Sequence, residues 1–180
     1  MISEQLSFLP DSLPDSHPFP PARERTVWNA LPQRVKDRFL KAGEAALAAT
    51  IAPLPLSLWL DFSHTGRRTA WEDAYFSRRA RLCALVCAEC VEHTGRFLGA
   101  IADTVWALCE ESAWQLPAHN SYIRDTPQLP LPDTTRPIVD LFAAETGALL
   151  ALTRYLLPDE LDTAAPGITV RMERELNTAS

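Results

Sequence analysis

The chain has 180 residues, 47% of them hydrophobic and 22% charged, a composition typical of one folded domain and unlike that of a disordered protein. Its 17 basic and 23 acidic residues give a formal charge of -6, so it lacks the basic surface by which proteins bind nucleic acids. The sequence has no apolar run of about 18 residues and no N-terminal basic and apolar leader. We therefore expect a cytoplasmic protein with no signal peptide and no membrane span.

The N-terminal residues 1–22 are rich in proline. They carry five of the 15 prolines in the chain, and proline neither continues a helix nor donates a hydrogen bond to a strand. We predict an irregular arm over residues 1–22 and one helical domain over residues 23–180.

Most of the remaining chain has the spacing of apolar residues that is typical of helices. The predicted helices run from about Gln33 to Thr50, Arg68 to His93, Arg96 to Glu111, Pro137 to Leu157, and from near Pro166 onward. The segment from Pro53 to Leu60 contains two prolines and is predicted to be extended. No strand–helix alternation of a parallel sheet is present. The sequence therefore predicts an all-α fold of about five or six helices.

Charged residues interrupt two apolar helix faces. Arg78 and Glu89 lie on the apolar stripe of the helix from Arg68 to His93, and Glu145 lies on that of the helix after Pro137. A buried carboxylate requires a partner, so we expect Glu145 to be mostly buried and paired. Two interpretations are open: these charges form structural ion pairs between helices, or they lie beneath a polar cavity.

Three cysteines have the spacing of an iron–sulfur cluster motif, Cys83-x-x-x-Cys87-x-x-Cys90. Cluster ligands need a loop that can wrap the cluster, whereas these three residues fall within a strong helix former and share one side of the helix. We interpret them as core residues. The four histidines show no zinc-ligand spacing, and the sequence has no nucleotide-binding or serine-hydrolase motif. No metal and no cofactor are predicted.

A second group of prolines marks a long loop from about Ala113 to Arg136. Loops of this length are commonly functional. Its first residues include Trp114, His119, Asn120 and Tyr122, whose aromatic faces and polar groups suit a carbohydrate cleft. The alternative is that the aromatic residues only anchor the loop onto the helical core.

Three groups of residues carry a family resemblance: Trp71 and Tyr75 with the pair Arg78 and Arg79, residues 111–120 (ESAWQLPAHN), and residues 137–148 (PIVDLFAAETGA). Over about residues 25–178 the chain resembles the N-terminal helical region of heparinase II/III-like proteins. The resemblance implies a partial α/α toroid, an incomplete ring of antiparallel helix pairs around a cleft. It also implies an acidic polysaccharide as the ligand.

Members of that family are associated with lyase chemistry on polysaccharides that contain uronic acid. Their catalytic residues lie downstream of the region that this chain resembles, so we carry over no catalytic residue and expect this chain to be inactive in isolation. The resemblance implies only that Trp114, His119, Asn120 and Glu145 face or support the cleft. We expect the long loop to turn its first residues towards a concave surface.

Three functions are open on these observations. A lyase would abstract the C5 proton beside a uronate carboxylate, and His119, Asn120 and Tyr122 have the chemical types for this step. A glycosidase would need two carboxylates about 5 to 10 Å apart, for which Glu110, Glu111 and Glu145 are the candidates. A non-catalytic helical module would instead form a homo-oligomer or bind missing C-terminal domains.

Overall fold

The computed structural model describes residues 19–178, and every regular element in that range is a helix. Its eight α-helices are α1 (Arg25–Asn29), α2 (Gln33–Ala48), α3 (Leu56–Thr65), α4 (Thr69–Glu92), α5 (Leu98–Cys109), α6 (Leu141–Leu156), α7 (Pro158–Ala164) and α8 (Ile168–Thr178). A short 3-10 turn, Pro117–His119, lies in the long loop. The predicted all-α class is confirmed for this part of the chain. None of these helices is long and apolar enough to cross a membrane.

The longest predicted helices are confirmed to within a few residues. The 24 residues of α4 contain neither proline nor glycine, so nothing in its sequence interrupts the helical hydrogen bonds. The helix ends at His93, whose backbone is left-handed with φ 55°, and Gly95 follows with φ 83°. Glycine adopts this conformation without steric cost, which explains why the chain turns here.

The extended conformation predicted from Pro53 to Leu60 is wrong, because α3 begins at Leu56. Pro55 directly precedes the helix, where its missing N–H group is not needed. The short helices α1 and α7 were not predicted either, so the count exceeds five or six. Helix α7 begins at Pro158, and the proline that prevents α6 from continuing also starts the next helix.

Helix α6 begins at Leu141, four residues after the predicted start. Asp140 caps it, because its Oδ1 accepts a hydrogen bond from the Ala143 amide at 2.7 Å. Its Oδ2 accepts from the Leu116 amide at 3.2 Å. The Asp140 carboxylate therefore caps the first turn of α6 and also binds the beginning of the long loop, at Leu116.

Helix α4 is central to the packing, with α2, α5 and α6 against it, and α8 packs against α5, α6 and α7. The contact between α2 and α4 is close at Gly43. A Cβ atom at Gly43 would lie 2.2 Å from Cβ of Ala88. The missing side chain is therefore what permits this approach.

The main core lies among α4, α5, α6, α7 and α8. Its fully buried apolar residues include Leu82, Leu85, Phe97, Ile101, Val105, Leu108, Leu150, Leu157, Leu161 and Met172. Glu89 is buried beside them, as its position on the stripe indicated. Its two oxygens accept from the amides of Gly95, at 2.7 Å, and Phe97, at 3.1 Å. This buried carboxylate thus pairs with the backbone of a turn and not with a cation.

A separate small core lies between α3, the first half of α4 and the long loop. It consists of Trp59, Trp71, Tyr75 and Leu116. The Tyr75 hydroxyl lies 2.7 Å from the carbonyl oxygen of Trp114 and bonds the loop to α4. The two cores are adjoining, but their compositions differ: one is aliphatic, the other aromatic.

The end of the predicted arm is irregular over residues 19–22 and is held by hydrogen bonds. The buried Ala22 donates its amide to the carbonyl of Leu156 at 2.8 Å, and the Tyr155 hydroxyl donates to the carbonyl of Phe19 at 2.7 Å. The remainder of the arm, residues 1–18, lies outside the described residues.

Candidate functional site

A cavity of about 460 Å³ opens between the start of α3, α4, the end of α5 and the long loop. We call it the tryptophan cleft. Its lining includes Trp59, Trp71, Trp106, Arg78, Glu110 and Glu111. Its volume falls within the range of small-molecule sites, about 300 to 1,000 Å³. A cavity with three indoles and charged groups is the type of site that binds polar, ring-shaped ligands.

The three indoles hold different positions in the tryptophan cleft. Trp59 and Trp71 pack edge to face with their ring centroids 5.1 Å apart, and Trp59 Nε1 donates to the carbonyl of Pro130 at 3.2 Å. Trp71 is buried, yet its Nε1 has no hydrogen-bond partner among the described residues. Trp106, on α5, is 53% exposed.

The unpaired donor of Trp71 is unusual. An unsatisfied buried polar group costs about 1 to 3 kcal/mol, and most such groups in folded proteins find a partner. Trp71 lines the tryptophan cleft, so this unsatisfied donor belongs to a residue of the cleft wall.

Two arginines and one glutamate form a buried charge cluster beside the tryptophan cleft. Arg79 Nη2 lies 2.6 Å from Glu111 Oε2, and Arg78 Nη1 lies 3.1 Å from Glu111 Oε1. The side chains of Arg78, Arg79 and Glu111 are only 11%, 10% and 5% exposed. The cluster carries two positive charges and one negative charge, so it has an excess of one positive charge in a region that water screens poorly.

Arg78 is the member of this cluster that reaches the tryptophan cleft with free donor capacity. Its Nε donates to the carbonyl of Ala52 at 2.7 Å, while its Nη2 makes no hydrogen bond to any residue that the structure describes. Glu110, at the edge of the cleft, pairs with Arg171 at 3.1 Å. The free donor of Arg78 favours an anionic group at its end of the cleft.

A second cavity of about 230 Å³ adjoins the tryptophan cleft and shares with it the wall formed by Glu111, Ser112 and Ala113. Its other side includes Asp133 and Val139. The start of the long loop thus separates two adjoining cavities.

The residues predicted to face the cleft are not its lining. Trp114 is 7% exposed, packs in the main core and donates its Nε1 to the carbonyl of Leu108 at 3.0 Å. Asn120 is fully buried and donates to the carbonyl of Leu129 at 2.7 Å. Asn120 therefore braces the loop internally, whereas the mostly buried Trp114 also lines the second cavity. That these residues face or support a ligand cleft stays a prediction. The anchoring alternative applies to them.

His119 and Tyr122 lie elsewhere on the loop. His119 Nδ1 lies 2.6 Å from Asp140 Oδ2, and its ring stacks on Phe142. The exposed Tyr122 donates its hydroxyl to Asp133 at 2.9 Å and packs under the guanidinium of Arg136. The structure does not bring His119, Asn120 and Tyr122 together as one catalytic group.

The prediction that Glu145 is buried and paired is also wrong. Glu145 is exposed, and no hydrogen bond or ion pair of the described residues includes it. The buried stripe of α6 consists instead of Ala143, Thr146, Leu150, Thr153 and Leu156. The stripe is rotated from the predicted one because α6 buries two threonines whose hydroxyls bond within the structure, as Thr146 does to the carbonyl of Phe142 at 2.8 Å.

The glycosidase candidates do not form a pair of free carboxylates. Both oxygens of Glu111 accept from arginine, which does not suit a general acid. Glu145 lines a different cavity from Glu110 and Glu111.

Two sequence signals pointed to the tryptophan cleft without identifying it. Arg78 interrupts an apolar stripe, and Trp71 lies on the same stripe. Both interpretations of the stripe charges hold for Arg78, which forms an ion pair between helix and loop and also lines a cavity. Trp59 and Trp106 carried no signal, because their approach to Trp71 depends on tertiary packing.

The three cysteines of α4 differ in exposure. Cys90 is buried, as the core interpretation predicts, but Cys83 is exposed. Among residues 19–178, no group of three or more His, Cys, Asp or Glu side chains is placed to hold a metal ion.

No protein-family model matches the chain, and no curated protein matches it either.

Proposed function

We propose that the chain is the saccharide-binding helical part of a heparinase II/III-like protein, with its helices arranged as part of an α/α toroid. The tryptophan cleft takes one sugar unit of an acidic polysaccharide. Support comes from the segments that carry the family resemblance. Residues 111–113 form the wall of the cleft, and Trp71 and Arg78 line it.

The observation that carries this proposal is the free guanidinium donor of Arg78 in a cavity lined by three indoles. A sugar ring stacks its apolar face on Trp106, whose exposed ring needs no rearrangement. Its hydroxyl or carboxylate oxygens accept from Arg78 Nη2. The guanidinium of Arg78 selects a carboxylate over a hydroxyl at this position, because a charge-assisted hydrogen bond is the stronger of the two.

The residues that line the tryptophan cleft are better suited to binding a saccharide than to cleaving it. β-Elimination needs a base within about 3 Å of the C5 proton. Among the described residues, those lining the tryptophan cleft include neither histidine nor tyrosine. Arg78 would neutralise a uronate carboxylate, and the base would come from outside this cleft.

The test is a titration of intrinsic tryptophan fluorescence with oligosaccharides that contain uronate. We expect saturable binding that weakens about ten-fold in Trp106→Ala, since one stacking platform is lost. The matched control is Asp103→Ala, an exposed residue one turn earlier on α5. No binding to any acidic oligosaccharide, or equal weakening in both variants, would reject the proposal. Formation of unsaturated uronate in the same samples would show turnover instead.

The non-catalytic interaction module is the second candidate. Leu141 and Val170 are each 67% exposed, more than apolar side chains usually are. Sizing chromatography decides this point. A concentration-dependent dimer that Leu141→Ser or Val170→Ser abolishes, in a protein that binds no saccharide, would favour the module.

A further inference from the structure

Arg78 has a long side chain, yet its guanidinium is held at several points. Its Nε donates to the carbonyl of Ala52 at 2.7 Å, and its Nη1 lies 3.1 Å from Glu111 Oε1 and 3.4 Å from the carbonyl oxygen of Ala107. These partners belong to the segment before α3, the start of the long loop and the end of α5. Contacts from three parts of the chain therefore hold the guanidinium and leave its Nη2 for a ligand.

Glu111 is held in turn by Arg79, the next residue along α4. Arg79 Nη1 donates to Glu111 Oε1 at 2.9 Å, and Arg79 Nη2 donates to Glu111 Oε2 at 2.6 Å. This two-bond fork engages both carboxylate oxygens and is the most directional way in which arginine binds a carboxylate. The same Oε1 accepts from Arg78. The carboxylate of Glu111 is therefore fixed by one arginine and helps to fix the other.

Arg79 is anchored to α4 and α6 and does not itself line the tryptophan cleft. Its Nε donates to Thr146 Oγ1 at 3.1 Å, and its Nη1 donates to the carbonyl of Tyr75 at 3.3 Å. Its guanidinium carbon lies 3.3 Å from the centre of the Tyr75 ring. Thr146 is a buried residue of α6 and also lies outside the cleft lining. A chain of contacts thus runs from α6 through Arg79 and Glu111 to Arg78.

We propose that Arg79 is a positioning residue that determines how strongly the tryptophan cleft prefers an anionic ligand. It acts through Glu111, whose Oε1 it keeps in place to hold Arg78. This inference rests on the function proposed above for the cleft. An ordered side chain loses little freedom when a ligand binds, whereas a mobile one must first be ordered. A carboxylate gains more from the fixed donor than a hydroxyl does, because its hydrogen bond is charge-assisted.

The alternative is that Arg79 acts only through its positive charge. Any cation at this position would then serve, and Arg79→Lys would leave anion binding unchanged. Lysine has a single ammonium group in place of the planar fork, so it cannot hold both oxygens of Glu111 in the same geometry. Arg79→Lys therefore separates position from charge, because the formal charge of the cluster stays the same.

The first measurement needs no ligand. Nitrogen-15 relaxation at Nε of Arg78 reports the order of this side chain, and we expect an order parameter of about 0.85 in the unmodified protein and below about 0.6 in Arg79→Lys. Arg81, on the same helix, is the internal control. Its Nε donates to Thr104 Oγ1 at 3.1 Å, outside the cluster, so its order should be equal in both proteins. An Arg78 side chain that is equally ordered in both would overturn the proposal.

The second measurement is calorimetry with trigalacturonate and its carboxyl-reduced form as probes. We expect the unmodified protein to bind the acidic probe at least about ten-fold more tightly, and Arg79→Lys to lower this ratio to about two-fold with little change for the neutral probe. Arg81→Lys should leave the ratio unchanged. A merely structural role of Arg79 would weaken binding of both probes alike, and that result would overturn the proposal.

The two measurements distinguish a failure of this inference from a failure of the proposed function. An unmodified protein that binds both probes equally, or binds neither, contradicts the function and this inference with it. An unmodified protein that prefers the acidic probe, together with an equal preference in Arg79→Lys, contradicts the inference alone.

Thr146→Val tests the same chain of contacts at its far end and serves if Arg79→Lys does not fold. Valine is similar in shape but removes the acceptor of Arg79 Nε, so the ratio between the probes should fall about three-fold. Thr146→Ser keeps the hydroxyl and should retain the ratio. Equal ratios in the two Thr146 variants would overturn the proposal.

Discussion

The main core and the small core differ in composition and in how their polar groups are paired. The main core is mostly aliphatic, and its helices bury apolar stripes against one another. The small core is aromatic, is bonded to the loop through Tyr75 and lies beside the buried charges of Arg78, Arg79 and Glu111. The first region supplies most of the folding free energy through apolar burial. The second leaves the Trp71 indole N–H without a partner among the described residues and places Arg78 at a cavity, and both features suit the ligand site proposed above.

The largest expected effect comes from breaking the charge cluster next to the small core. Glu111→Ala removes the only acidic partner that Arg78 and Arg79 have among the described residues, and should lower the free energy of unfolding by about 3 to 5 kcal/mol. Urea denaturation measures it. The control is Glu173→Ala, whose exposed pair with Arg154 should contribute no more than about 0.5 kcal/mol. Similar changes in both variants would show that the cluster is solvated.

The corresponding change in the main core is Leu150→Ala. It empties a fully buried site and should cost about 3 kcal/mol, while saccharide binding at the tryptophan cleft stays unchanged in the folded protein. Leu141→Ala on the same helix is the control, since that residue is 67% exposed. Loss of binding in folded Leu150→Ala would contradict the separation of the two regions.

The difference between the two cores also determines how much of the fold can be predicted from the sequence. Helices α2, α4 and α5 could be predicted from apolar spacing, because the apolar residues at that spacing pack against the main core. Helix α3 did not, because its two preceding prolines resemble those of an extended segment, and only Trp59 in it is buried. The site was harder to predict, because the meeting of Trp59 and Trp106 with Trp71 around one cavity depends on tertiary packing and leaves no pattern in the sequence.

A smaller effect tests the close contact of α2 with α4. Gly43→Ala would place Cβ 2.2 Å from Cβ of Ala88, so the helices must separate, at a cost of about 1 to 3 kcal/mol. The matched control is Gly99→Ala on α5, where an added Cβ meets nothing within 4 Å. Because alanine favours a helix, that variant should gain about 0.5 to 1 kcal/mol. Equal signs for the two thermal shifts would contradict the packing described here.

The smallest expected effect on stability concerns the carboxylate that joins the loop to α6. Asp140→Ala removes the cap of α6 and the bonds to Leu116 and His119, and should cost about 1 to 2 kcal/mol. Asp140→Asn retains an acceptor and should cost less. Thermal denaturation of both variants ranks them, and an equal loss in each would mean that the negative charge, not the hydrogen bonds, is what matters.

The most direct test of the central claim is the affinity of the unmodified protein for one uronate oligosaccharide before and after its carboxylates are reduced to hydroxymethyl groups. Size, shape and stacking surface are then nearly constant, and only the charge facing Arg78 changes. Because a hydrogen bond to a charged group contributes about 1.5 to 3 kcal/mol, we expect calorimetry to show at least about ten-fold weaker binding of the reduced ligand. Equal affinity for the two ligands would contradict an anion-selective tryptophan cleft.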